Sequence, residues 1–269
     1  MTGLVYLSTY FDNFYWHLTA AGRIILIKLL PYFDWRYLKN KQCIIEKNGI
    51  PSEKVSELFN CDLCEHINRI DVFESIDEDI LTQHYLELDV PLIVTKGLEN
   101  WPKNSSFVDD LILENDFYYS YPCKMSTNIY KGATTAGKIL ERARSFNEFF
   151  LHFQNCDLDA MKTLRKFTYR PSFLPAVYSP VLYNWLIWNR HYNATYDKVI
   201  DLVEKMALVG QVFGSMDVQL SPRYNCIEIC PILDIKLNAG EVLVFTSLWD
   251  MTYRPNGGEN VAVILETRD

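Results

Sequence analysis

Histidine is scarce in this chain. Only five occur in 269 residues, at positions 17, 66, 84, 152 and 191. None follows His191, so the C-terminal part of the chain cannot offer an imidazole to a metal ion. Basic runs are also missing. The formal net charge is −8, and without clustered lysine and arginine to displace phosphate counterions the chain is excluded as a general nucleic-acid binder. Neither G-x-x-x-x-G-K-[ST] nor G-x-G-x-x-G occurs, which removes the common glycine-loop phosphate sites. Long uninterrupted apolar runs are absent too. The most apolar stretch, residues 4–30, is broken by His17, Arg23 and Lys28, whereas a simple lipid-exposed span needs about 20 consecutive apolar residues.

What is present is an ordinary globular composition, 49% hydrophobic and 22% charged, in a length that suits one large domain with an N-terminal extension. We expect an amphipathic helix within residues 1–40, a linker over 41–51 with a turn at Asn48-Gly49, and a domain over 52–269. Leu4, Phe11, Leu18 and Ile25 recur seven apart, and Leu7, Phe14 and Ala21 complete one apolar stripe. Tyr10, Tyr15, Trp16, Tyr32 and Trp35, with Lys28, Arg36, Lys39 and Lys41, suit a helix at a bilayer interface or among membrane subunits. The alternative is a helix docked on its own domain. A signal peptide fits poorly, because no basic region precedes the apolar part and no small-residue cleavage site follows.

Seven cysteines, an odd number, are scattered along the chain. They read as reduced thiols of a reducing compartment, organellar or cytosolic, although the sequons at Asn104 and Asn193 would suit a luminal protein. Cys61-x-x-Cys64-x-His66 offers three zinc ligands on one turn, and Cys226 and Cys230 could close the site. Read as a strand, CIEIC puts Cys226 and Cys230 on one face but too far apart to chelate one ion easily, so buried thiols are the expectation.

Residues 53–89 carry eleven acidic side chains against Lys54 and Arg69, a solvated negative surface and a less favoured docking face for a basic partner. Within it, 75–89 reads as a helix with acidic residues in its first turn, followed by a short buried strand, VPLIVTKGL, at 90–98. Helical patterns return at 106–114, 145–156 and 180–189. In the last of these, Trp185 and Trp188 should share one face. The aromatics of 167–193 read as core filling. From 207 onward ALVGQVFG, MDVQLSP, CIEICPIL, EVLVFTSLW and NVAVILET alternate with short turns, half of an antiparallel barrel or sandwich.

This order of elements resembles the JmjC and cupin-like 2-oxoglutarate oxygenases over roughly residues 70–267. The resemblance is carried by VPLIVTKGLENWP, YRPSFLP, QVFGSMDVQLSP, LNAGEVLVFTSLWDM and NVAVILET. It implies an α+β chain with a mainly β core, a double-stranded β-helix of cupin type with helical decorations. That family binds Fe(II) through two histidines and a carboxylate, the first two in a His-x-Asp/Glu step. No histidine here precedes Asp or Glu by two residues. Placed on the family pattern by the QVFG turn, Asp201 and Val203 fall at the proximal ligand positions, Asp250 at the distal one, and Met216 where a cosubstrate-binding lysine is common.

The resemblance with its triad missing implies a protein that is not an enzyme, holds no cofactor, and serves as a structural or binding subunit of a membrane-associated assembly. Protein subunits would be its partners, with membrane contact through 4–30. An alternative uses Asp201 and Asp250 to hold Mg²⁺, Ca²⁺ or Mn²⁺ in an atypical enzyme; another makes Cys61 and Cys64 a zinc or thiol module. Homodimerisation through C-terminal helices is not expected, since the chain stops at Asp269 directly after the last strand pattern.

Overall fold

The computed structural model describes residues 59–268, apart from Ser105, Tyr130, Lys131 and Ala133, together with His17, Ala21, Gly22, Ile24, Ile25 and Lys28. The chain divides into two compact units, Met1–Glu57 and Leu58–Asp269. The six described residues of the first unit are helical. The rest of the helix expected over 4–30, and the linker over 41–51, lie outside the described residues. Among the described residues no helix is long and apolar enough to cross a membrane.

The second unit is mainly β. Its strands are β1 (Asp71–Phe73), β2 (Leu92–Val94), β3 (Lys124–Thr127), β4 (Phe149–Asn155), β5 (Ser179–Arg190) and β6 (Lys198–Ile200), followed by β7 (Met206–Phe213), β8 (Ser215–Pro222), β9 (Leu233–Asn238), β10 (Val242–Thr246), β11 (Trp249–Arg254) and β12 (Asn260–Arg268). They form an eight-stranded sheet, β1-β2-β10-β7-β12-β5-β4-β3, and a four-stranded sheet, β6-β11-β8-β9. All pairings are antiparallel except β1 with β2. From β5 onward the chain visits the two sheets in the order large, small, large, small, small, large, small, large. As expected, EVLVFTSLW and NVAVILET place strands, β10 and β12, in one sheet.

Side chains two apart on a strand share a face, and that alternation divides the core. On β12, Val261, Val263 and Leu265 join one apolar cluster, whereas Ala262 and Ile264 join another. The first cluster includes residues of helices α1 (Glu78–Leu81, continued by a π turn over Thr82–Leu86), α2 (Phe107–Leu113), α3 (Asn115–Tyr118), α4 (Ala136–Arg144) and α5 (Leu158–Arg165). The second includes the inward residues of the small sheet, among them Met216, Val218 and Leu220 of β8 and Leu233, Ile235 and Leu237 of β9. The inner strands of the large sheet are thus buried on both faces and read as largely apolar runs, whereas the edge strands β1 and β3 are partly exposed. The turn from β7 to β8, which carries the chain from one sheet to the other, needs Gly214. Its φ is +71°, and a Cβ there would lie 2.1 Å from the Glu259 carbonyl oxygen.

Two expected helices are strands. Residues 145–156 contain β4 and 180–189 lie within β5. In SPVLYNWLIWNR, aromatic and β-branched residues favour the pleat, and β5 is paired on both sides, by β4 and by β12. Trp185 and Trp188 therefore lie on opposite faces of the large sheet, in different clusters, not on one helical face.

The cysteine expectation is also corrected. Cys61 pairs with Cys226, Cys64 with Cys230 and Cys123 with Cys156, at Cα separations of 5.3, 5.3 and 6.1 Å, all within disulfide reach. CIEIC is not a strand. The Cys230 N–H donates to the Cys226 carbonyl at 2.9 Å, so the two residues stand one helical turn apart. That brings both sulfurs toward the 3-10 turn Cys61–Leu63.

Candidate functional site at one end of the small sheet

At one end of the small sheet Tyr253 of β11 is the cross-strand partner of Lys198 of β6. Both side chains point inward, 1% and 4% exposed. Facing them from β4 of the large sheet are Phe150 and His152, two apart and therefore on one face. His152 Nδ1 and Tyr253 Oη lie 2.9 Å apart and share a hydrogen bond whose direction follows the imidazole tautomer. Lys198 Nζ sits 4.2 Å from the Phe150 ring centre and 3.5 Å from that of Tyr196, with Tyr192 at 5.8 Å. It has no hydrogen-bond partner among the described residues. Tyr196 is 64% exposed and closes this aromatic box on the solvent side.

Charge is costly here. Burial, reinforced by the Lys198 ammonium, pushes the His152 pKa down to about 4, and burial raises that of Tyr253. His152 is therefore neutral at pH 7, and with Tyr253 it can donate or accept a hydrogen bond but carries no charge. This depression has a stability signature. With a folded pKa below the ordinary value of 6.5, the unfolded chain takes up the His152 proton first on acidification. Its contribution is complete above about pH 6.5 and is lost progressively toward pH 4, amounting to about 3 kcal/mol at the acid end. We expect the His152→Gln variant to show a flatter fall of urea midpoint between those pH values than the parent protein.

Beyond His152 the same inner face continues into a buried carboxylate. Glu266 of β12 is 0% exposed. Its Oε1 accepts from Gln154 Nε2 at 3.0 Å and Trp185 Nε1 at 2.9 Å, and its Oε2 from the backbone N–H groups of Val203 at 2.6 Å and Glu204 at 2.8 Å. One carboxylate thus joins β4, β5, β12 and the connection from β6 to β7. Trp185 in turn packs edge-on against His152, with ring centres 6.0 Å apart.

The residues singled out in the sequence lie elsewhere. Asp201 is exposed and its carboxylate pairs with Lys124 of β3. Val203 is 52% exposed, tied only by its backbone to Glu266. Asp250 points outward from β11 and accepts from Arg223 Nε at 2.6 Å. The inward residues of this strand pair are Lys198, Ile200, Met251 and Tyr253, because a register displaced by one residue moves every side chain to the other face. Each aspartate thus has a cation of its own, and neither belongs to a metal-sized cluster among the described residues. Met216 is fully buried on β8 among apolar neighbours. The His66 side chain is 86% exposed beside Glu65 and stands apart, whereas the sulfurs of Cys64, Cys226 and Cys230 lie within 4.8 Å of one another, where two adjacent disulfides engage them together with Cys61. The sequence reading missed Lys198, His152, Tyr253 and Glu266. A signal existed in FFLHFQN, whose period of two puts Phe150, His152 and Gln154 on one face, and in the lone acid of NVAVILET.

No protein-family model and no curated protein matches the chain. Among solved structures it is similar to Escherichia coli YcfD at 12% identity, covering 71% of this chain and 52% of that one with a TM-score of 0.40. It is likewise similar to YcfD described as a ribosomal oxygenase, at 13% identity, 71% and 50% coverage and TM-score 0.40. For that oxygenase in complex with cobalt and succinic acid, the values are 13%, 71% and 51%, and 0.42. The chain spans about half the length of these proteins. The expectation that this protein is not an enzyme is corrected: structures to which it is similar are described as an oxygenase, and the lack of a His-x-Asp/Glu step in this sequence does not by itself establish loss of activity.

Proposed function

We propose that the second unit is a JmjC- and cupin-like double-stranded β-helix whose end at β6 and β11 binds a carboxylate-bearing ligand, with Lys198 as its anchor. The winding of β5 to β12 between the two sheets supports the fold reading. The binding reading rests on one observation, the buried Lys198 Nζ that has no hydrogen-bond acceptor among the described residues. A desolvated ammonium is stabilised by aromatic faces to about 2 kcal/mol, well short of what its lost hydration costs. A carboxylate entering where Tyr196 now covers the box would give it a charge-assisted hydrogen bond. His152 and Tyr253, both neutral, stand ready for the second oxygen.

The test is calorimetric titration of the full chain with a panel of mono- and dicarboxylates, in parallel with Lys198→Met. We expect saturable binding that weakens at least roughly tenfold in the variant. The unliganded variant should melt no lower than the parent, because methionine fills the same aromatic box without a buried charge. Binding unaffected by Lys198→Met, or no binding of any of the acids, would overturn the reading.

A further inference from the structure

We propose that Asn104 and Asn193 are N-glycosylation sites and that the chain matures in the oxidising lumen of a secretory pathway. The inference is independent of the Lys198 site. It starts from the cysteines: all six in the second unit are paired, two of the pairs joining segments 165 and 166 residues apart. Paired structural cysteines on this scale persist in oxidising compartments and are rare where glutathione keeps thiols reduced. A compartment that oxidises these six sulfurs in a eukaryotic cell is also the one that attaches glycans to Asn-x-Ser/Thr.

The two sequons, Asn104-Ser105-Ser106 and Asn193-Ala194-Thr195, are the only ones in the sequence. Both can carry a glycan in the folded state. Asn104 and Ser106 are exposed, in the loop that leads into α2, and the Ser106 hydroxyl donates to Asn104 Oδ1 at 2.8 Å. Asn193 and Thr195 are exposed in the connection between β5 and β6, while Ala194 between them is buried, its N–H donating to the Pro255 carbonyl at 3.0 Å. That backbone anchor turns the two polar side chains of the sequon outward. The asparagines that are buried, Asn155, Asn184, Asn189 and Asn260, are all outside sequons. A glycan on Asn193 would stand three residues from Tyr196, at the rim of the aromatic box.

The experiment expresses the chain in cultured insect or mammalian cells both as it stands and behind a cleavable secretory leader. It compares electrophoretic mobility before and after peptide N-glycosidase, and alkylation of cysteines before and after reduction. We expect two steps of mobility shift, one step in each of Ser106→Ala and Thr195→Ala, none in the double variant, and six cysteines that alkylate only after reduction. A chain that shows no shift in either form, whether its cysteines are free or paired, overturns the proposal. A shift that survives in the double variant overturns the site assignment.

Discussion

Replacing Glu266 by alanine is expected to destabilise the second unit by about 3–5 kcal/mol, the cost of removing one side of a buried, hydrogen-bonded charge. Four donors converge on this carboxylate, two from side chains and two from the backbone. Without it the N–H groups of Val203 and Glu204 would be left without an acceptor, and each unsatisfied buried group costs about 1–3 kcal/mol. The Glu266→Gln variant is the sharper probe. An amide retains one oxygen but must turn its NH₂ toward either the two side-chain donors or the two backbone donors, so it should fall between the parent and alanine. Urea denaturation followed by tryptophan fluorescence measures both. Trp185 also reports locally, since its indole N–H is one of the four donors. A Glu266→Ala protein with the parent's midpoint would show that the carboxylate is not structural.

The second large effect is non-additive. Cys61–Cys226 and Cys64–Cys230 close nearly the same loop, 165 and 166 residues in sequence separation. When one is present the other adds only a small ring through Cys61–Cys64 and Cys226–Cys230. In the chain-entropy account the first closure is worth about 5 kcal/mol and the second about 2. Either pair replaced by alanine should therefore cost about 2 kcal/mol, whereas both together should cost about 7, more than the sum of the singles. Denaturant midpoints of the two paired variants and the quadruple variant give the comparison. Strictly additive losses would mean that the turn at Cys61 is held to the segment at Cys226 by its other contacts, such as the Asn225 side-chain amide donating to the Phe59 carbonyl at 2.9 Å.

Much of the β core was legible because its C-terminal strands are bounded by turns and differ from their surroundings in composition. EVLVF and NVAVILET needed no tertiary information. β4 and β5 were misread for an identifiable reason: strands covered on both faces lose the polar alternation that distinguishes them from helices. For β5 only the aromatic and β-branched content remained as a guide. CIEIC failed in the opposite direction. Its apolar alternation suggests a strand, but Ile227 and Ile229 are 63% and 49% exposed, and the cysteines point inward because the backbone turns. The site was hidden by register. Placement by a short turn motif is good to a residue or so, and in a strand one residue separates the exposed Asp250 from the buried Met251. Lys198 could not be recognised as buried from its own sequence surroundings, since the inner wall of its cage, Phe150, comes from β4.

One further pair of cysteines bears on how copies of this chain meet. β3 forms one edge of the eight-stranded sheet, and an edge strand of four residues could in principle peel away and be exchanged with another molecule. Cys123 and Cys156 lie just outside the paired ends of β3 and β4, and the Cys123 N–H also donates to the Gln154 carbonyl at 2.8 Å. Their bond pins the strand to its own neighbour. The oxidised chain is therefore closed to strand swapping at this edge, and any linked oligomer built by exchanging β3 has to begin with the Cys123–Cys156 bond opened, by a reductant or by attack of a thiolate.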